Sequence, residues 1–253
     1  MASEAGHWYK KDGSPCYTIE GKNGQIRPTT LRDAKKLGLV PSVTTIIRCA
    51  AAPGLENWKQ DQAILAALTC PRIEGESEAD MLSRIKKDAA EQAKKAAERG
   101  TQIHAWVQGW FEDKEEGIEA GTEEHRFCMS VNATIFEAVG YQEWVTEKSF
   151  ATPRYGGKCD LHNEKYTLDF KTTDKDISTV KTWDEHAMQL AAYCIGMYDR
   201  EPWELSQCGI VYINVNTAES RLIWIPEDEL EKGWMMFAAL LDYWYAKNGM
   251  EAA

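Results

Sequence analysis

The chain has 253 residues, of which 43% are hydrophobic and 27% charged, and a formal net charge of −11. That length suffices for one large domain or two small ones, and the composition is that of a globular protein, not a disordered or fibrous one. The acidic balance excludes wholesale coating of nucleic acid but leaves room for a local basic groove.

No apolar run reaches the length of a membrane span, and the first ten residues lack the basic-then-apolar layout of a secretion signal. The seven cysteines (Cys16, Cys49, Cys70, Cys128, Cys159, Cys194, Cys208) are odd in number, widely spaced and without a C-x-x-C pair. Free thiols in a cytoplasmic protein with no membrane association are therefore expected.

In chain order, residues 7–19 mix aromatic and polar residues with turn formers and predict a short β ribbon. Thr29 or Thr30 caps a helix over 31–37 that ends at Gly38. Pro41-Ser42 opens a helical stretch over 43–49, and Pro53-Gly54 breaks it. Residues 55–68 follow, with Leu55, Trp58, Ile64, Leu65 and Leu68 at helical spacing. Residues 71–79 read as an acidic loop, 80–111 as the longest helix with a bend at Gly100, and 113–121 as an acidic, glycine-punctuated loop.

A helix over 123–139 sets Phe127, Val131, Ile135 and Phe136 on one side. From Tyr141 the period changes to two, predicting strands at 142–151, 154–162 and 166–172. A helix at 184–198, strands at 207–215 and 220–225 and a closing helix at 227–247 complete the chain. This order predicts an α+β fold, a mixed central β-sheet flanked by helices, with a helical N-terminal part. Residues 1–75 are expected to form a ribbon and helices packed on a core of residues 76–253, in one compact domain overall.

The chemistry concentrates in Gly157-Lys158-Cys159-Asp160 and Asp169-Phe170-Lys171. In a strand Asp169 and Lys171 point one way and Phe170 the other. If 152–162 and 166–172 pair through the Asn163-Glu164-Lys165 turn, Asp160 lies beside Asp169 on the same face. Two acids and a lysine at one spot suit a hard divalent cation and an activated water. A surface hairpin of alternating charge is the alternative and needs no chemistry.

Gln189 and Tyr193 share a helix face one turn apart and could aim at the same spot or at a phosphate beside it, although such pairs are also common at half-buried positions. His104, between Ile103 and Trp106, could supply a nitrogen ligand, although a histidine on an apolar helix face is more often a core residue. Glu147 on the preceding strand reads as an accessory acid or as an exposed carboxylate.

Taken in order, Gly100-Thr101-x-x-His104, Gly157-x-x-Asp160, Asp169-Phe170-Lys171 and Gln189-x-x-x-Tyr193 resemble the PD-(D/E)XK nuclease superfamily, closest to the branch of RecB-type nuclease domains and phage recombination exonucleases. Residues 41–47, with Leu55 and Trp58 behind them, also resemble the N-terminal region of phage-encoded members.

The resemblance implies a restriction-endonuclease-like nuclease core and a Mg²⁺- or Mn²⁺-dependent exonuclease acting on linear duplex DNA in phage recombination or DNA processing. It implies that Asp160, Asp169, the Phe170 carbonyl and His104 hold the metal, that Lys171 orients or deprotonates the attacking water, and that Gln189 and Tyr193 hold the scissile phosphate or nearby strand. The branch with an iron–sulfur staple needs a cysteine trio after the Gln-x-x-x-Tyr helix. Only Cys194 and Cys208 follow here, so no iron–sulfur cluster is expected.

A single-strand annealing protein is a candidate partner and a homo-oligomer a candidate assembly. Phosphate contact is expected from Lys158 and Lys175 beside the motif, with Lys148, Arg154, Lys165 and Lys181 around the strands. Trp106 and Trp110 are candidates for base stacking, though such a pair is more often core. A structure- or sequence-specific endonuclease on the same fold and a non-catalytic acidic interaction module are the alternatives.

Overall fold

The computed structural model describes residues 6–50, 53–112, 118–199, 204 and 206–251. The expected loop at 113–121 lies partly outside them. By contact the chain forms two compact units, Met1–Ala50 with Trp106–Ala253, and Ala51–Ala105. These cut the chain at other points than the expected 1–75 and 76–253.

In the first unit the N-terminal part is more β-rich than the expected single ribbon. Strand β1 (Trp8–Tyr9) pairs with β4 (Val40–Pro41), and β2 (Thr18–Glu20) pairs with β3 (Ile26–Pro28), both antiparallel. Between them Thr30 caps helix α1 (Leu31–Leu37) in a reciprocal capping box with Asp33, and Gly38 ends it in the left-handed conformation. Ser42 then caps the short helix α2 (Val43–Ile47) by accepting the Thr45 N–H. Trp8, Ala34, Leu39, Val43 and Ile46 from this region are buried in one cluster with Phe150, Tyr155, Cys159 and Tyr193.

Helix α5 (Glu123–Val139), capped by Thr122, leads into the main sheet. The sheet has five strands in the order β5 (Val145–Ala151), β6 (Gly156–His162), β7 (Tyr166–Thr173), β8 (Gln207–Asn214), β9 (Ser220–Trp224). All neighbours are antiparallel except β7 and β8, which run parallel and are joined through helix α6 (Asp184–Tyr198). Parallel neighbours need such a crossover.

The fold is therefore α+β, a mixed sheet flanked by helices. Helix α5 packs at β8 and β9, where Ser130 and Thr134 bond the Ser220 hydroxyl at 2.9 and 2.7 Å. Helix α6 packs across β5 to β8 and is covered in turn by α2 and helix α7 (Glu227–Asn248). With cover on both sides, residues 186–194 of α6 are all buried, which explains its nearly continuous apolar sequence. A β-carbon on Gly233 of α7 would stand 2.5 Å from the Ala187 backbone, so this glycine permits the close approach of the two helices.

The second unit holds α3 (Pro53–Thr69) and the larger part of α4 (Glu78–Phe111). One expectation is corrected here. Pro53-Gly54 opens α3 instead of only ending the preceding helix, because proline fits the first turn, where its missing N–H costs nothing. Helix α4 runs without interruption through Gly100. Arg84 ties the connection between the two helices by a two-pronged contact to Glu76, at 2.9 and 2.6 Å, and a bond to the Pro71 carbonyl at 2.9 Å. Among the described residues no helix is long and apolar enough to cross a membrane.

Candidate active site

Asp160, Asp169, Lys171, Gln189 and Tyr193 come together between α6 and the centre of the sheet. The β6–β7 ladder pairs His162 with Thr167 and Leu161 with Leu168, and then stops. One more step of the same register would put Asp160 opposite Asp169. Instead the Asp160 carboxylate accepts the Phe170 N–H at 2.8 Å. A buried N–H must find an acceptor, and here a side chain replaces the missing ladder carbonyl. The two strands thus part at the point where both carboxylates turn towards α6. Phe170, one residue on, is buried at 2% exposure on the other face.

Helix α6 supplies the opposite wall. The Gln189 amide donates to Asp169 Oδ1 at 2.8 Å and to the Tyr193 hydroxyl at 3.0 Å, while its carbonyl oxygen accepts from Lys171 Nζ at 3.2 Å. Lys171 also forms an ion pair with Asp169 Oδ2. That oxygen is buried and has no hydrogen bond of good geometry, so its compensation is the lysine's charge. Tyr193 reaches this point because Gly157 faces it: a β-carbon there would lie 2.7 Å from the tyrosine ring and 2.9 Å from the Phe150 ring.

Burial drives the electrostatics. It pushes the Asp160 carboxyl well above the usual range, and the Asp169 charge pushes it further; Lys171 and the Phe170 N–H only partly oppose this. Burial pulls Lys171 down, but Asp169 and Asp160 outweigh it and hold the ammonium protonated. Burial, then Asp169 and Asp160, raise the Tyr193 phenol far above its ordinary value. Two close acids, Asp169 buried and Asp160 half-buried, that repel one another beside one lysine favour added positive charge.

The surroundings contain residues that the sequence alone did not single out. His186 sits one turn before Gln189, and its imidazole is lowered to about 4 by burial, with the Lys171 charge adding to this. Its Nδ1 accepts the Trp183 N–H at 3.1 Å and lies 3.4 Å from the Tyr212 hydroxyl. Tyr212 is in turn the β8 register partner of Lys171. The spacing of His186 to Gln189 was the available signal, but burial by two layers hides it among the apolar residues of α6.

Glu147 stands on β5 at the step between the Thr146–Leu161 and Lys148–Cys159 pairs, in a left-handed conformation with φ 49°. Its carboxylate pairs with Lys158, which shares a face of β6 with Asp160. The other candidates lie on other elements. His104 is half-buried on α4, within the Ala51–Ala105 unit. Trp106 contacts the Phe127 ring and Trp110 the His125 ring. Arg154 pairs with Asp242 at 2.6 Å, and Lys148 lies over the Tyr198 ring, while Lys165 and Lys175 are exposed.

No protein-family model matches the sequence, and no curated protein matches it either. Among solved structures the chain is similar to a Eubacterium rectale protein called a putative exonuclease, at 15% identity and a TM-score of 0.41, over 60% of this chain and 69% of that one. It is also similar to the protein SSO0001, at 14% identity and a TM-score of 0.30, over 74% of this chain and 86% of that one. The functional reading therefore rests on the side chains.

Among the described residues no group of three or more His, Cys, Asp or Glu side chains is placed to hold a metal. Magnesium keeps several of its waters and needs only one or two carboxylates, whereas a structural zinc site closes on four protein ligands. Two neighbouring carboxylates, Asp169 buried and Asp160 half-buried, fit such an ion.

Proposed function

We propose that this chain is a metal-dependent deoxyribonuclease that degrades linear duplex DNA from its ends, in phage recombination or a related DNA-processing reaction. The observation that carries the reading is the meeting of Asp160, Asp169 and Lys171 beneath Gln189 and Tyr193, with the strands parted between the two acids. The resemblance of the same residues to the PD-(D/E)XK motifs supports it independently of the geometry.

Asp160 and Asp169 would hold a Mg²⁺ or Mn²⁺ ion, with the Phe170 carbonyl as a further ligand. Bound there, the ion neutralises charge on the phosphate and lowers the pKa of a bound water. Lys171, held protonated beside the acids, orients the water and donates to a phosphate oxygen. Gln189 fixes Lys171 and Asp169 relative to each other, and Tyr193 fixes Gln189. A single-strand annealing protein remains the candidate partner and a homo-oligomer the candidate assembly.

Digestion of end-labelled linear duplex with Mg²⁺ or Mn²⁺ tests the reading, with closed circular duplex as the control. Progressive shortening of the linear form alone, lost in Asp160→Ala and Lys171→Ala, is expected. Cutting of closed circles would replace the exonuclease by an endonuclease. No metal-dependent cleavage of any DNA by the folded protein would overturn the nuclease reading.

A further inference from the structure

Trp183 is 51% exposed, yet its position is fixed by its neighbours. Its backbone N–H donates to His186 Nδ1 at 3.1 Å, within the first turn of α6. The Lys181 ammonium lies over its ring, 4.5 Å from the centroid. The Lys181 carbonyl accepts from the Tyr212 hydroxyl at 2.7 Å, and Tyr212 is the register partner of Lys171. The segment that carries this indole is therefore bonded to the strand beside the one that carries Asp169 and Lys171.

An aromatic side chain carried on a backbone held in place meets a flat ligand at a lower ordering cost than one on a loose loop. Gln189 follows Trp183 by six residues, about 9 Å of helical rise. That is the span of roughly two to three stacked nucleotides at about 3.4 Å each. The neighbouring carboxylates of Asp184 and Glu185 are exposed and disfavour a phosphate at the start of α6, which leaves a base as the matching group. Every base has a π-face, so such a contact is tolerant of sequence.

We infer that Trp183 stacks on an unpaired nucleobase two to three nucleotides from the scissile phosphate, so that the site takes a frayed or single-stranded DNA end. This deepens, and rests on, the nuclease reading. It also moves the stacking role away from Trp106 and Trp110, whose rings contact Phe127 and His125.

The test uses the full chain in a Lys171→Ala background with Mg²⁺, and measures binding of a labelled duplex with a short single-stranded overhang by fluorescence anisotropy. A second substrate carries one abasic nucleotide at each of the first few overhang positions in turn. The parent is expected to bind the intact strand roughly 5- to 150-fold more tightly than one of the abasic strands. Adding Trp183→Ala is expected to erase that preference, and Trp183→Phe to keep most of it.

Should Trp183→Ala fail to fold, Trp183→Leu takes its place, with loss of the preference expected and its retention overturning the inference. An unchanged preference in folded Trp183→Ala, or no preference in the parent, overturns the inference while digestion of DNA by wild type stands. If wild type neither binds nor cuts DNA, the nuclease reading falls and the stacking role with it.

Discussion

The Asp160 carboxylate accepts the Phe170 N–H at the step where the β6–β7 ladder ends. One contact thus does two things. It satisfies a buried backbone donor just past the end of the ladder, and it fixes Asp160 next to Asp169. The cost is a second, half-buried acid close to the buried first one, and the chain offsets part of it with Lys171.

The first prediction concerns pH. Burial, then the Asp169 charge, hold the Asp160 pKa up to about 7. The unfolded chain releases the same proton near its ordinary value, about 4. Between those values the folded state binds more protons, so its stability falls as pH rises, and the penalty is complete above about 7. In EDTA, wild type is expected to lose several degrees of Tm relative to Asp160→Asn between about pH 4 and 8. Parallel Tm curves for the two proteins would remove the basis of this prediction.

The second concerns Gln189, whose amide bonds Asp169, Lys171 and Tyr193 at once. Gln189→Ala leaves buried polar groups without a partner and is expected to cost about 1–3 kcal/mol. Activity should fall more than stability alone explains, because Lys171 loses its second tether. Tyr193→Phe removes one acceptor and keeps the ring, so a cost of about 1 kcal/mol is expected. Thermal unfolding and digestion rates on the same preparations check the order of the two effects.

Much of this was legible in sequence. The strand pair around Asp160 and Asp169 announces itself by period-two alternation and an Asn-led turn, and Asn163 indeed bonds the Lys165 and Tyr166 N–H groups at 2.9 and 3.0 Å. Helix α6 was bounded correctly at 184–198 because its apolar run is long and ends at a polar residue in the left-handed conformation. The N-terminal pairing was not legible. Trp8 and Tyr9 pair with Val40 and Pro41, across some thirty residues of which none carries a register signal. Nor was the Trp183–His186–Tyr212 linkage, since Tyr212 comes from a strand joined only through the parallel crossover. Such contacts depend on tertiary placement, which alternation and capping patterns do not encode.

The third prediction concerns Gly157. An added β-carbon would meet the Tyr193 and Phe150 rings at 2.7 and 2.9 Å, both inside a packed cluster. Gly157→Ala is therefore expected to destabilise by about 1–3 kcal/mol through overpacking. The displaced Tyr193 should reduce activity as well. Phe150→Leu is the natural compensating change, and partial recovery of Tm in the double variant would show that the clash is the cause.

The last concerns Lys171 and the metal together. Asp169 is 3% exposed, and its Oδ2 relies on the lysine's charge. Removing one partner of a buried ion pair costs about 3–5 kcal/mol. The lysine side chain is one-third exposed, so water recovers part of this and the lower end is expected for Lys171→Met. A divalent cation between the two carboxylates would supply the missing charge without supplying the lysine's hydrogen bonds. Stability and activity should then separate: Mn²⁺ restores much of the Tm lost by Lys171→Met but none of its activity. In Asp160→Ala, Mn²⁺ should raise Tm little, because half of the site is gone. Titrating Mn²⁺ against Tm in all three proteins makes the comparison by ligand linkage. Equal Mn²⁺ stabilisation of wild type and Asp160→Ala would place the ion elsewhere, and activity in Lys171→Met within tenfold of wild type would remove the lysine from the reaction.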